Sequence, residues 1–227
     1  SSSRVTTQGN NRYPAWTPDS RRISYTTTTG GGFRLVWRPA DGSGAEEVLI
    51  DSKFGEYQPS WTSDGKTAVV MQLNPITLED IAVLNLEDRK VTPLLHERYT
   101  ETGARLSPDG KWLAYTARVA AQAEVFVQPF PAPGPRWQIS VGGGESPQWS
   151  ANGREIFYSV RHTVMSVAVS PKNGALNAER PRKVFEAPFE DYGAMPDGRH
   201  FVTTMPTKTE RPNRIRLVLN WQAELKQ

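Results

Sequence analysis

A short frame recurs five times along these 227 residues. Pro14-Ala15-Trp16-Thr17-Pro18-Asp19-Ser20 precedes Ile23-Ser24-Tyr25, and Pro59-Ser60-Trp61-Thr62-Ser63-Asp64-Gly65 precedes Ala68-Val69-Val70. Ala104-Arg105-Leu106-Ser107-Pro108-Asp109-Gly110 comes before Trp112-Leu113-Ala114-Tyr115, and Pro147-Gln148-Trp149-Ser150-Ala151-Asn152-Gly153 before Ile156-Phe157-Tyr158. Ala194-Met195-Pro196-Asp197-Gly198 before Phe201-Val202 is the last copy. The aromatic position falls at 16, 61, 106, 149 and 194, a spacing of 43 to 45 residues. A fixed period of this length makes each copy one supersecondary unit that must stack on its neighbours to bury its apolar faces.

The content of each period is strand. Eighteen Gly and eighteen Pro are spread along the chain between runs of Val, Ile, Thr, Tyr and Phe, the punctuation of many short strands. Only Trp221 to Gln227 reads as helix-forming, and about seven residues is too short to hold a helix alone. Four short strands in roughly 40 to 45 residues make a propeller blade. In the third repeat the strands are expected over 104–107, 111–117, 124–129 and 136–141.

The expected fold is therefore an all-β propeller of four-stranded antiparallel blades in one domain, with repeats near 10–52, 53–97, 98–142, 143–188 and 189–227 plus 3–8. The fifth repeat supplies three strands, near 192–195, 200–205 and 214–220. Arg4-Val5-Thr6-Thr7 has the character of the missing fourth, so that pairing of the two termini would close a five-bladed ring. A six-bladed ring with a blade upstream of Ser1 is the other solution. Trp16, Trp61 and Trp149 are expected between blades, with Leu106 and Ala194 at the same position of the other repeats. Asp19, Asp64, Asp109 and Asp197, with Gly110, Gly153 and Gly198, are expected to form the turn that follows.

Several functions are poorly served by this composition. Without cysteine there is no disulfide, thiolate metal site or cysteine nucleophile. The net charge of +3 comes from scattered basic residues, which argues against nucleic acid as a partner. No apolar run approaches the roughly 18 residues of a membrane span, and Ser1 to Asn10 lacks the apolar core of a secretory signal. No Gly-x-Ser-x-Gly elbow occurs; Gly42-Ser43-Gly44 reads as a turn. His96, His162 and His200 fall at strand ends or turns without metal-ligand spacing. The glycine runs 30–32 and 142–144 lack the helix and the Lys-Ser/Thr signature of a phosphate loop. No catalytic residue is assigned, and the chain is expected not to be an enzyme.

The repeated Pro-x-Trp-Ser/Thr-Pro-Asp-Gly frame resembles that of TolB-type, WD40-like propellers, which also occurs in prolyl oligopeptidase-like peptidases. The stretch Leu217 to Lys226 is similar to the ending of propeller regions carried at the C-terminal end of some bacterial serine/threonine kinases and related surface proteins. The resemblance implies a periplasmic or extracytoplasmic setting and a binding or scaffolding role. It also implies six blades, where five repeats are counted.

One constellation emerges when the repeats are superposed. Glu56 and Glu101 stand five residues before their repeat origins, Glu145 and Glu190 four before theirs, and Asp191 follows, while Asn11 and Arg12 hold this place in the first repeat. Tyr13, Phe54, Tyr57, Tyr99 and Tyr192 lie beside them. In a propeller these links open on one face around the channel, so convergent carboxylates would raise the local concentration of cations. Carboxylates pointing outward into solvent are the competing reading. The expected ligands are a protein segment, a small basic molecule, or a cation such as Ca²⁺ at the channel mouth; no other cofactor is expected. A gating propeller severed from a prolyl oligopeptidase-type hydrolase is the alternative.

Overall fold

The computed structural model describes residues 2–6, 8–29, 31–53, 55, 57–119, 122–132, 134–172, 175–205 and 216–218. Strand β1 (Ser2–Arg4) precedes the first blade, made of β2 (Asn10–Trp16), β3 (Arg22–Thr29), β4 (Gly32–Pro39) and β5 (Glu47–Ser52). The second contains β6 (Ser60–Trp61), β7 (Thr67–Asn74), β8 (Leu78–Asn85) and β9 (Val91–Leu95). The third contains β10 (Glu101–Leu106), β11 (Trp112–Val119), β12 (Gln122–Pro129) and β13 (Trp137–Gln138). The expected strands of this blade lie within three residues of these at every end.

The fourth blade departs from the four-strand pattern. It has β14 (Glu145–Trp149), β15 (Glu155–Val160), the long β16 (Thr163–Lys172), β17 (Ala175–Ala178) and β18 (Arg182–Glu186). The first half of β16 pairs with β18 and its second half continues into a hairpin with β17. In the fifth repeat β19 (Asp191–Ala194) pairs with β20 (Phe201–Thr204). Strand β21 (Arg216–Val218) pairs antiparallel with β1, Ser2 opposite Val218 and Arg4 opposite Arg216. The short C-terminal helical reading at 221–227 lies outside the described residues.

Successive side chains of a strand point to opposite faces, and here the two faces meet two different blades. Leu35, Leu49, Tyr57, Ala68, Val70, Ala82 and Leu84 form the layer between the first and second blades. Val69, Ile81, Leu113, Tyr115 and Phe126 form the next. Trp112, Ala114, Val125, Ile156 and Tyr158 lie between the third and fourth, and Phe157, Val164, Phe189 and Tyr192 beyond the fourth. Val5 covers Ile23, Tyr25 and Val36 on the leading face of the first blade. Burial on both faces explains why the middle strands read as near-continuous apolar runs.

The turn after each inner strand is a repeated hydrogen-bonded unit. The hydroxyls of Thr17, Thr62 and Ser107 donate to Asp19, Asp64 and Asp109 at 2.6 Å, and Ser150 donates to Asn152 at 2.9 Å. Each acceptor also takes the amide two residues on, at Arg21, Lys66, Lys111 and Arg154. Gly65, Gly110, Gly153 and Gly198 hold φ near +67°, a region open to glycine without steric cost. The first repeat puts Ser20 there at φ 57°. In the fifth, Met195 replaces the hydroxyl residue and Asp197 instead meets His200 Nδ1 at 2.5 Å.

Two of the three repeat tryptophans bridge blades as expected. Trp61 stacks on Trp37 at 5.8 Å and donates its indole N–H to Ser24 at 3.0 Å. Trp149 donates to the main-chain carbonyl of Arg105 at 3.1 Å. Trp16 is the correction: it is 44% exposed, because no described strand of another blade covers it on the leading side.

Candidate functional site

Strands within a blade alternate in direction, so every connection falls on one of two ends. The Asp-Gly turns and the connections from third to fourth strand share one end, the turn face. The hairpins β3–β4, β7–β8, β11–β12 and β15–β16 share the other with the links into each inner strand; this is the loop face, where the acidic positions were expected.

The structure separates those acids. Glu56 and its neighbour Phe54 lie outside the described residues. Glu145 is exposed and ion-paired with Arg118 at 3.6 Å. Glu190 and Asp191 are exposed, and Asp191 caps the Tyr192 amide at 2.8 Å. Arg12 is exposed and Tyr13 half-buried. Glu101 is 1% exposed, on the face of β10 that meets the second blade, so it does not line the rim. Tyr57 and Tyr192 are core residues rather than rim aromatics. The Tyr57 amide donates to Thr26 at 3.0 Å, and the Tyr192 hydroxyl to the Ser146 carbonyl at 2.7 Å. Tyr99 takes a hydrogen bond from Arg136, whose guanidinium also lies over the Phe126 ring at 5.0 Å.

Glu101 is displaced inward by a bulge. The pairing of β10 with β11 shifts register between Thr102 and Arg105, with Gly103 at φ 63°. Counting alternate residues back from Leu106 would put Thr102 on the blade-two side; the extra residue puts Glu101 there instead. The same irregularity occurs at Tyr13 and Ser146, three positions before Trp16 and Trp149 as Gly103 is before Leu106. Burial pushes the Glu101 carboxyl up to about 7, with the Asp80 and Glu97 charges acting in the same direction. Its Oε2 has no hydrogen-bond partner.

Among the described residues no group of three or more His, Asp or Glu is placed to hold a metal. The histidines stand apart: His96 is exposed beside the β7–β8 hairpin, His162 sits edge-on to Phe189, and His200 pairs with Asp197. Ser43 lies in the β4–β5 connection, its amide on Asp41 at 2.9 Å.

The loop face also presents apolar side chains. Ile76 is 90% exposed at the tip of the β7–β8 hairpin, with Leu73 and Leu78 beside it; Val119 and Val141 are exposed on the third blade. At the tip Asn74 accepts the Ile76 amide at 2.9 Å. On the turn face, a cavity of about 430 Å³ lies where the inner strands of four blades converge. Trp16, Trp61, Trp149, Arg105 and Gln148 line it. Gln148 is engaged with the fifth repeat, donating to the Tyr192 carbonyl and accepting the Ala194 amide at 2.8 Å. Burial lowers the Arg105 pKa, against the pull of Asp191.

Four-stranded antiparallel blades, a repeated hydroxyl–carboxylate turn and inter-blade tryptophans define a β-propeller. The TolB beta propeller domain matches residues 13–180, and the chain belongs to that family. Among solved structures, TolB from Acinetobacter baumannii is 21% identical with a TM-score of 0.65, the match covering 77% of this chain and 44% of that one. This chain thus spans less than half of that TolB. A nidogen/laminin complex contains a chain 11% identical, TM-score 0.58, over 70% of this chain and 61% of that one. A puromycin-hydrolyzing peptidase from Mycobacterium tuberculosis is 16% identical, TM-score 0.58, over 79% and 31%. At such identities the likeness is one of fold. Among the described residues no helix is long and apolar enough to cross a membrane.

Proposed function

We propose that this chain is a non-catalytic binding module that takes a protein segment on its loop face, in an extracytoplasmic setting. The carrying observation is the exposed aliphatic surface there. Ile76, Leu78 and Leu73 on the second blade and Val119 and Val141 on the third are large apolar side chains exposed at this end of the blades. Exposed Glu145, Glu190 and Asp191 share this face. Apolar groups grouped beside charged ones are the composition of a recognition surface. TolB and the nidogen/laminin complex among the structural relatives are compatible with this reading.

The test is a photo-crosslinking residue at position 76 or 141 of the native protein in its own cells, with position 65 on the turn face as the comparison. Adducts to one partner from 76 and 141, absent from 65, are expected. Adducts from the turn face alone would overturn the assignment. A gating propeller next to a hydrolase is the second reading, favoured by the axial cavity walled by tryptophans; adducts from position 65 to a hydrolase domain would establish it.

A further inference from the structure

A second cavity, about 300 Å³, opens beside the β7–β8 hairpin on the loop face, reached from the first blade by Ser52. Leu73, Pro75, Ala82 and Pro93 supply its apolar wall, with Gln72, Asn74 and His96 as polar neighbours. One acid lines it, Asp80, which is 5% exposed. Nothing in the sequence singles this residue out, because it belongs to no repeated position.

The Asp80 carboxylate is held in place and only half used. Its Oδ2 accepts from Asn74 Nδ2 at 3.0 Å and from the Thr77 hydroxyl at 2.7 Å, which fixes the hairpin. Its Oδ1 is buried and has no donor. No ion pair to Asp80 occurs among the described residues, and the nearby buried acid Glu101 adds to the negative potential. A buried carboxylate oxygen without a donor is costly, and a cationic donor entering from the cavity would relieve that cost.

The shape of the site selects the cation. A hard divalent ion such as Ca²⁺ needs six to eight oxygens, and no three acidic or histidine ligands converge among the described residues. A guanidinium seeks both oxygens of a carboxylate, whereas here one is already taken. An alkylammonium is a compact charge that needs one oxygen, and its methylene stem would lie along the proline, leucine and alanine walls. The geometry points to a pocket for an alkylammonium group, that of a lysine side chain in the protein segment bound on this face, with Asp80 as counter-ion. The lysine source rests on the loop-face reading; the amine chemistry stands without it.

Two probes separate these sources: n-butylamine and Nα-acetyl-lysine N-methylamide, titrated into the isotope-labelled chain while the amide resonances of Gln72, Leu73 and Ala82 are followed. Both are expected to give saturable shifts at these positions, the lysine derivative at least as tightly. Asp80→Asn is expected to weaken binding by about tenfold or more, the value of a hydrogen bond to a charged group. n-Butanol and the norleucine derivative, neutral and of similar shape, test the charge in the unaltered chain and are expected not to bind. Equal binding of the neutral compounds, or no binding of either amine, overturns the pocket. Binding of n-butylamine alone overturns the lysine assignment. Neither titration requires the partner, and crosslinking from position 76 does not require Asp80, so the two proposals fail separately.

Discussion

Trp149 reaches from the fourth blade to the third and donates its indole N–H to the carbonyl of Arg105, 3.1 Å away. The bond crosses a blade boundary near the axis, where a main-chain carbonyl of an inner strand would otherwise lack this donor. Trp149→Phe keeps much of the ring and removes the donor. The expected loss is about 1 kcal/mol, the net worth of one hydrogen bond, read by urea unfolding. Trp16→Phe, at the exposed counterpart, is expected to stay within about 0.5 kcal/mol of the parent.

Glu101 makes stability depend on pH. Its folded value, about 7, lies above the ordinary 4.5, so its contribution is fully present below pH 4.5 and is lost as the pH rises through 7. Each pH step between the ordinary and the folded value costs about 1.4 kcal/mol, so between pH 5 and 8 the parent is expected to lose about 2.5 kcal/mol relative to Glu101→Gln. Unfolding of both proteins across that range tests it. Parallel curves would show that the carboxyl is not desolvated in the folded protein.

At the first turn Ser20 occupies the left-handed position that glycine fills in the other four repeats. An L-residue there carries about 1 to 2 kcal/mol of strain, partly offset by the greater chain entropy that glycine loses on folding. Ser20→Gly is expected to raise the melting temperature, with a gain of about 0.5 to 1 kcal/mol. A lowered melting temperature would mean that the Ser20 side chain contributes more than its strain costs.

Ile76→Asp separates stability from recognition. The side chain is almost wholly exposed, so the melting temperature is expected to stay unchanged. Crosslinks formed from position 141 are expected to fall sharply. Undiminished crosslinking would remove Ile76 from the contact surface.

Much of the fold was legible because the repeat advertises itself in residues that each have a local mechanical role. Trp61 and Trp149 end their inner strands and bridge blades, and the Asp-Gly positions form the turn that follows. The loop face was harder. An alternating pattern assigns sides only while the register is continuous, and the bulge three residues before the origin of the first, third and fourth repeats breaks it. Tyr13, Gly103 and Ser146 share that conformation but no chemistry, so nothing in the letters marks it, and Glu101 passes for a rim residue. Asp80 is hidden for another reason: what sets it apart is an oxygen without a donor, which depends on residues brought together from two blades. Trp16 repeats the motif, but whether it is covered depends on what lies across the seam before the first blade.

That seam holds a mechanical asymmetry. Ser2 lies opposite Val218 and Arg4 opposite Arg216, so the outermost residues of the two strands share one end of their ladder. Tension applied through Ser2 and Val218 would load the cross-strand bonds one after another, as in unzipping, rather than together in shear. The pair would part at low force, while the blades, whose layers lie away from that line of pull, would remain folded.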